Sequence, residues 1–210
     1  MTTTIILVRH GETEWNRIER FRGRIDVPLN ARGVQQAHMT AGFIAANWKP
    51  AAIYSSPLSR ALATAQAIAV EQGLTPNQIP GLYDTNYGEW QGLTPDEVER
   101  SWPTLFSQWY ESPQTVTIPG GESLVEVRSR AIKAVEKLAV NHNGEIILLV
   151  SHTDVIRLIL MAMLDIENDH FWHLRQDNCA ISLVEKTSDY YVICSMNCIA
   201  HLNPEFTEKK

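Results

Sequence analysis

Apolar positions along this chain alternate between two spacings. Short β-branched runs recur, and between them lie stretches in which apolar residues return every three or four positions. Residues 4–9 form the first run and read as a buried strand. Asn30 then caps a helical stretch with apolar positions at Val34, Ala37, Ala41, Ile44 and Ala45, stopped by Lys49-Pro50. Residues 51–54 predict a second strand, and Pro57 opens an alanine-rich helix running to about Glu71. Ser123 and Glu126 form a capping box before a helix with Leu124, Ala131, Val135 and Leu138 on one face, which Asn143-Gly144 ends. Residues 145–151 (EIILLVS) give the strongest strand signal, and a helix follows over about 154–164. Two further strands fit residues 180–185 and 190–198. Strands alternating with helices of this length predict βαβ units: an α/β fold of three layers, α/β/α, with a mainly parallel sheet and helices on both faces.

One segment breaks the rhythm. Between Tyr87 and Gly121 lie Trp90, Trp102, Phe106, Trp109 and Tyr110, interleaved with Pro95, Pro103, Pro113 and Pro119. Thr94-Pro95-Asp96-Glu97 is a capping box with proline at the first helical position, so a short helix starts there. Residues of about 90–122 are expected to form a helical cap insertion packed on the sheet within a single domain spanning 1–210. Most of its rings read as core filler, although a cap beside a site would also help exclude water.

Composition narrows the class. With 210 residues, 44% of them hydrophobic and 20% charged, the chain can bury a large core as one domain. The net charge of −6 argues against a nucleic-acid partner. No apolar run reaches membrane-spanning length; the best stretch, 155–163, is interrupted by Arg157, so no membrane partner is expected. The opening MTTTIILVRHG reaches charge too soon for a signal peptide. Three cysteines without metal-ligand spacing suggest a reducing, cytoplasmic setting. Cys194, Met196 and Cys198 share one face of a strand and are expected in the core, and so unsuited to zinc with His201.

Two strands end in histidine. The first delivers His10 and the run at 145–151 delivers His152; in an open α/β sheet, ligands bind beyond the carboxyl ends of parallel strands. Arg9, Arg20, Arg22 and Arg24 cluster around the first, and Gly11 and Gly23 would let backbone N–H groups approach an anion. Arg60 falls in the first turn of its helix, where the macrodipole disfavours a cation unless an anion lies between them. Ser151-His152 with Asp154 suggests a hydrolase triad, but adjacent strand residues face opposite ways and no G-x-S-x-G elbow exists.

LVRHGETEWN (7–16), RFRGRIDVPLNARGVQQA, YSSPLSRALATA, YGEWQGLT, GGES and LLVSHTDVIR follow in order along nearly the whole chain. Together they resemble the histidine phosphatase superfamily, the phosphoglycerate-mutase-like proteins. The resemblance implies a phosphoglycerate-mutase-like fold, with His10 as phosphoryl acceptor and Arg9, Arg60 and His152 binding the phosphate. It also implies that Asn16, Arg22, Gly23 and Tyr87 contact phosphate or substrate, and that no metal or other cofactor is needed. The chemistry agrees: neutral imidazole is a nucleophile near physiological pH, and phosphoryl transfer is mostly positioning and charge stabilisation.

Two positions depart from the family pattern. The proton-donating glutamate four residues before the glycine of the YGEW-like motif is Asp84 here, with Glu89 as a possible substitute. The glycine after the second histidine is Thr153, a residue able to cap the following helix or to offer its hydroxyl to phosphate. The leading expectation is a metal-independent phosphatase acting on a small phosphorylated metabolite through phospho-His10. A cofactor-dependent phosphoglycerate mutase is the alternative enzyme, and a catalytically silent phospho-ligand module the alternative from another class. A compact cap and the ending HLNPEFTEKK favour hydrolysis over mutase activity. FWHLRQDNCAIS and NCIAHL resemble the C-terminal part of bacterial metal-independent phosphoserine phosphatases, which suggests phosphoserine as substrate and His201 at its amino-acid end. The hydrophobic last strand offers an edge that could pair across a homodimer.

Overall fold

The computed structural model describes residues 2–203; part of the ending weighed above, residues 204–210, lies outside them. Six strands form one sheet: β1 (Thr3–Arg9), β2 (Ala52–Ser55), β3 (Asn77–Gln78), β4 (Ile146–Ser151), β5 (Ile181–Lys186) and β6 (Tyr191–Cys198). Their spatial order is β3-β2-β4-β1-β5-β6. β1 pairs parallel with β4, β4 with β2, and β2 with β3, whereas β5 is antiparallel to both β1 and β6. β5 alone therefore runs against the rest. The predicted α/β/α architecture with a mainly parallel sheet is what forms.

Period-2 alternation in the central strands divides the core into two layers. Ile5, Leu7, Ile147 and Leu149 face one side, where they meet α6 (Leu124–Asn141) and α7 (Thr153–Met163) through Leu124, Val127, Val135, Val155 and Ile159. Ile6, Val8, Leu148 and Val150 face the other side, against Ala41 and Ile44 of α2 (Ala31–Asn47) and Ala61, Ala65 and Ile68 of α3 (Ser59–Gln72). Both faces of β1 and β4 are sealed, which explains why these strands read as continuous apolar runs.

The expected caps are made. Asn30 Oδ1 accepts from Gly33 N, and Ser123 with Glu126 closes a reciprocal box ahead of α6. Thr13 and Asn16 do the same for the short α1 (Glu14–Arg17). Thr94 and Glu97 begin α4 (Pro95–Ser101), which α5 (Pro103–Glu111) follows directly. Trp90, Val98, Trp109, Val116 and Ile118 of this helical segment are buried in the same cluster as Ile5, Leu7 and Leu149 of the sheet. The ring of Trp109 meets those of Trp90 and Phe171 at centroid distances of 6.1 and 5.6 Å.

β6 corrects one expectation. Cys194 and Met196 are exposed and Cys198 is half-buried, so the face they share is not core. The strand lies at the sheet edge, and its pairing with β5 slips twice, between Ile181 and Leu183 and between Leu183 and Val184. A bulged edge strand turns its side chains out of the regular alternation.

Candidate active site

The connections leave the middle of the sheet in opposite directions. After β1 the chain crosses toward β2, while after β4 it crosses back past β1 to β5. Such a divergence opens a crevice at the carboxyl ends of the two strands. Register sets Arg9 opposite Ser151, and His10 N donates to Ser151 O, so the two histidines emerge side by side. Their ring centroids are 5.1 Å apart, with the planes inclined at 58°.

Both rings are completely buried. His10 Nδ1 lies 2.6 Å from Gly11 O; a carbonyl only accepts, so Nδ1 carries the proton and Nε2 is left with its lone pair and no partner among the described residues. Burial foremost, then the charges of His152 in its cationic form, Arg60, Arg9 and Arg22, holds the His10 pKa well below 6.5. His152 is held down in the same way, by burial first and then by Arg60 and Arg22. Its Nε2 meets Ser56 Oγ at 2.7 Å, and its unpartnered Nδ1 faces Asp84 Oδ2 at 3.5 Å.

Three arginines surround this pair. The segment before β5 braces the first: Arg9 Nη1 donates to Gln176 O at 2.5 Å, while Asn178 Nδ2 donates to His10 O at 2.9 Å. Arg60, in the first turn of α3, donates to Gly23 O, Ile25 O and Asp84 Oδ2, at 2.7, 3.0 and 2.9 Å. These acceptors explain a buried cation at a helix N-terminus without a bound anion. Asp26 completes the clamp by accepting from Ser59 N and Oγ, which caps α3 from outside. Arg22 rides on the clamped loop with Nε buried and unpartnered; burial first, then Arg9, pushes its pKa down to about 10. It remains a cation at neutral pH, in want of an anion.

A cavity of about 560 Å³ opens above this cluster. Arg9, Arg22, Asp84 and Thr153 line it beside Arg20, Arg157 and Arg175, with Phe21, Tyr110 and Trp172 among its aromatic wall. His10, Arg60 and His152 have no exposed surface, whereas Arg9 and Asp84 line the cavity.

The other expected contributors are placed as follows. Gly11 N donates to Thr64 Oγ1 rather than presenting itself to an anion, and a Cβ on Gly11 would lie 2.4 Å from Gly33 O. Its glycine is required by chain packing. Gly23, at φ +53°, contributes its carbonyl to Arg60, and a Cβ there would strike Gln91 Oε1 at 2.3 Å. Asn16 spends Oδ1 on Thr13 in the capping box. Thr153 lines the cavity as the first helical residue of α7, but His152, not Thr153, occupies the N-cap position. Tyr87 lines the cavity and donates its hydroxyl to Asp154. Glu89 is exposed and is not among the cavity's lining residues. His201 is not among the cavity's lining residues: its Nε2 meets Thr40 Oγ1 at 2.9 Å and its ring stacks on Phe43, both on α2.

Further residues shape the site. Arg130 donates to the carbonyls of Gly81, Tyr83 and Asp84 and is itself held by Glu122 of the GGES motif, so it fixes the backbone that carries Asp84. Arg157 and Asp154 line the cavity from one turn of α7. The charge of Arg157 inside the apolar run 155–163 is its sequence signal, since a buried arginine needs a reason, and Asp154 stands out only in the discarded triad pattern.

The fold and the site thus define an α/β protein with a buried histidine pair set among cations. The family model described as histidine phosphatase superfamily (branch 1) matches residues 5–199, and the chain belongs to that superfamily. It is 33% identical over 204 residues to phosphoserine phosphatase 1 of Hydrogenobacter thermophilus, covering 97% of this chain and 96% of that protein. Among solved structures, YhfR of Bacillus stearothermophilus superposes with a TM-score of 0.91 at 30% identity, covering 96% and 100% of the two chains. A mutant phosphoserine phosphatase from Entamoeba histolytica, solved in complex with phosphoserine, matches with a TM-score of 0.86 at 29% identity, covering 96% and 100%. The chain is a phosphoric monoester hydrolase. Among the described residues, no helix is long and apolar enough to cross a membrane.

Proposed function

We propose that this chain hydrolyses small phosphomonoesters through a phosphohistidine on His10, with phosphoserine as a substrate. The observation that carries the reading is His10 Nε2: buried, neutral, without a partner, and flanked by Arg9, Arg22 and Arg60. In the first step Nε2 attacks phosphorus, the N–P bond forms and the P–O ester bond breaks. Arg9, Arg22, Arg60 and the Nδ1–H of His152 hold the equatorial oxygens, whose charge is largely what the site has to stabilise. The departing alkoxide takes its proton from the carboxylic-acid form of Asp84, which the incoming phosphate separates from Arg60. In the second step Asp84 accepts a proton from water, whose oxygen attacks phosphorus and releases inorganic phosphate and neutral His10.

Rapid quenching under alkaline conditions during turnover should trap an acid-labile phosphohistidine in the peptide containing His10. Hydrolysis should persist after exhaustive treatment with EDTA. Full activity in His10→Ala would overturn the mechanism. A mutase rate on 3-phosphoglycerate exceeding hydrolysis would overturn the assignment as a phosphatase.

A further inference from the structure

An anion-binding cavity has little use for a second buried carboxylate. Asp154 is nonetheless 5% exposed, lines the cavity, and stands one turn before Arg157, itself 7% exposed and on the same wall. Asp154 Oδ2 is saturated by the hydroxyls of Tyr87 and Thr85. Oδ1 has one long contact, with Arg157 Nη1 at 3.5 Å. Burial, before any other cause, raises the Asp154 pKa, as expected of a carboxylate short of compensation.

Arg157 is firmly placed and incompletely used. Its Nε donates to Leu174 O at 2.7 Å, and its guanidinium lies over Phe171 and Trp172, 4.4 and 5.1 Å from the ring centroids. Nη1 leans toward Asp154, while Nη2 has no partner among the described residues. One helical turn therefore offers the cavity an under-bonded acceptor next to a free cationic donor. The pair is held at fixed spacing because residues three apart share a helix face.

Resting on the phosphatase reading above, we propose that Asp154 and Arg157 form a zwitterion-reading pair. Asp154 Oδ1 receives the ammonium, and Arg157 receives the carboxylate, of an α-amino-acid phosphomonoester whose phosphate sits at His10. The exposed Glu19 at the cavity edge stays solvated and cannot supply an equally desolvated contact. The site would thus separate O-phosphoserine from 3-phosphoglycerate, which has a hydroxyl in place of the ammonium. It would also separate it from phosphoethanolamine, which lacks the carboxylate.

The test is phosphate release from these three esters and from p-nitrophenyl phosphate by the full chain. Wild-type kcat/KM on phosphoserine should exceed that on each analogue by roughly 10- to 100-fold, the usual worth of a hydrogen bond to a charged group. Asp154→Asn should lower the phosphoserine to 3-phosphoglycerate ratio at least tenfold, mainly through KM, because the contact exists before and during reaction alike. Arg157→Met should instead lower the phosphoserine to phosphoethanolamine ratio. Should Asp154→Asn fail to fold, the wild-type substrate ranking and Arg157→Met still decide. Equal losses on all four esters in Asp154→Asn would overturn the proposal, as would a wild-type preference for 3-phosphoglycerate. Turnover of p-nitrophenyl phosphate through phospho-His10 without a phosphoserine preference would sink this inference and leave the His10 mechanism standing. Absence of any phosphohistidine would sink the mechanism itself.

Discussion

His10 and His152 face each other across 5.1 Å, each on the residue that follows one of two adjacent parallel strands. One presents an unprotonated Nε2, and the other an unpartnered Nδ1 beside Asp84. In the proposed mechanism this relationship gives the nucleophile and the donor to different rings. His152→Ala should therefore leave phosphohistidine formation on His10 detectable but slowed by about 10²–10³, the loss typical of removing one transition-state donor. Single-turnover quench experiments decide the point; an unchanged rate would exclude His152 as a donor.

Neutral buried imidazoles also shape stability. Both histidines have folded-state pKa values below the unfolded 6.5, so below that pH the unfolded chain binds protons that the folded chain refuses. Stability therefore falls as pH drops through 6.5, by at most about 1.4 kcal/mol per pH unit for each ring. Urea denaturation between pH 7.5 and 5.5 should show this slope, and His10→Asn should reduce it. A slope identical in the variant would contradict the assignment.

Asp84→Asn separates acid catalysis from binding. It keeps an acceptor for Arg60 but cannot deliver a carboxyl proton to the leaving oxygen. Activity on an alkyl phosphate should drop by roughly 10²–10⁴, the range for general acid catalysis. The drop should be far smaller with p-nitrophenyl phosphate, whose leaving group needs little protonation. Equal losses on both would make Asp84 a binding residue.

Two glycines of the same helix should respond with opposite sign. At Gly42 a Cβ meets nothing within 4 Å, so Gly42→Ala should stabilise the protein by about 0.5–1 kcal/mol. At Gly33 a Cβ would fall 2.0 Å from Glu12 O, in the loop that follows His10. Gly33→Ala should cost roughly 1–3 kcal/mol through a forced backbone shift, and phosphatase activity should fall with it. Thermal and urea midpoints for the pair provide the comparison; stabilisation by both would mean the loop yields freely.

Much of this protein is decided locally. The caps at Asn30, Thr94 and Ser123 formed where their side chains could reach the first orphan amides, because capping needs only neighbours in the chain. His10 and His152 were legible as a pair for a similar reason: an apolar run sealed on both faces must be a central strand, and central parallel strands end at one crevice. Long-range packing settled the rest. Nothing near Cys194 or Met196 announces that β6 lies at the edge and slips its register on β5. Nothing near His201 foretells that it would stack on Phe43, far back along the chain on α2. Asp154 and Arg157 gave a local hint, a charge inside an apolar helix. Only the closing of Trp172, Leu174 and Tyr87 around them made that charge part of the cavity, since desolvation belongs to the assembled surroundings and not to a residue's neighbours in the chain.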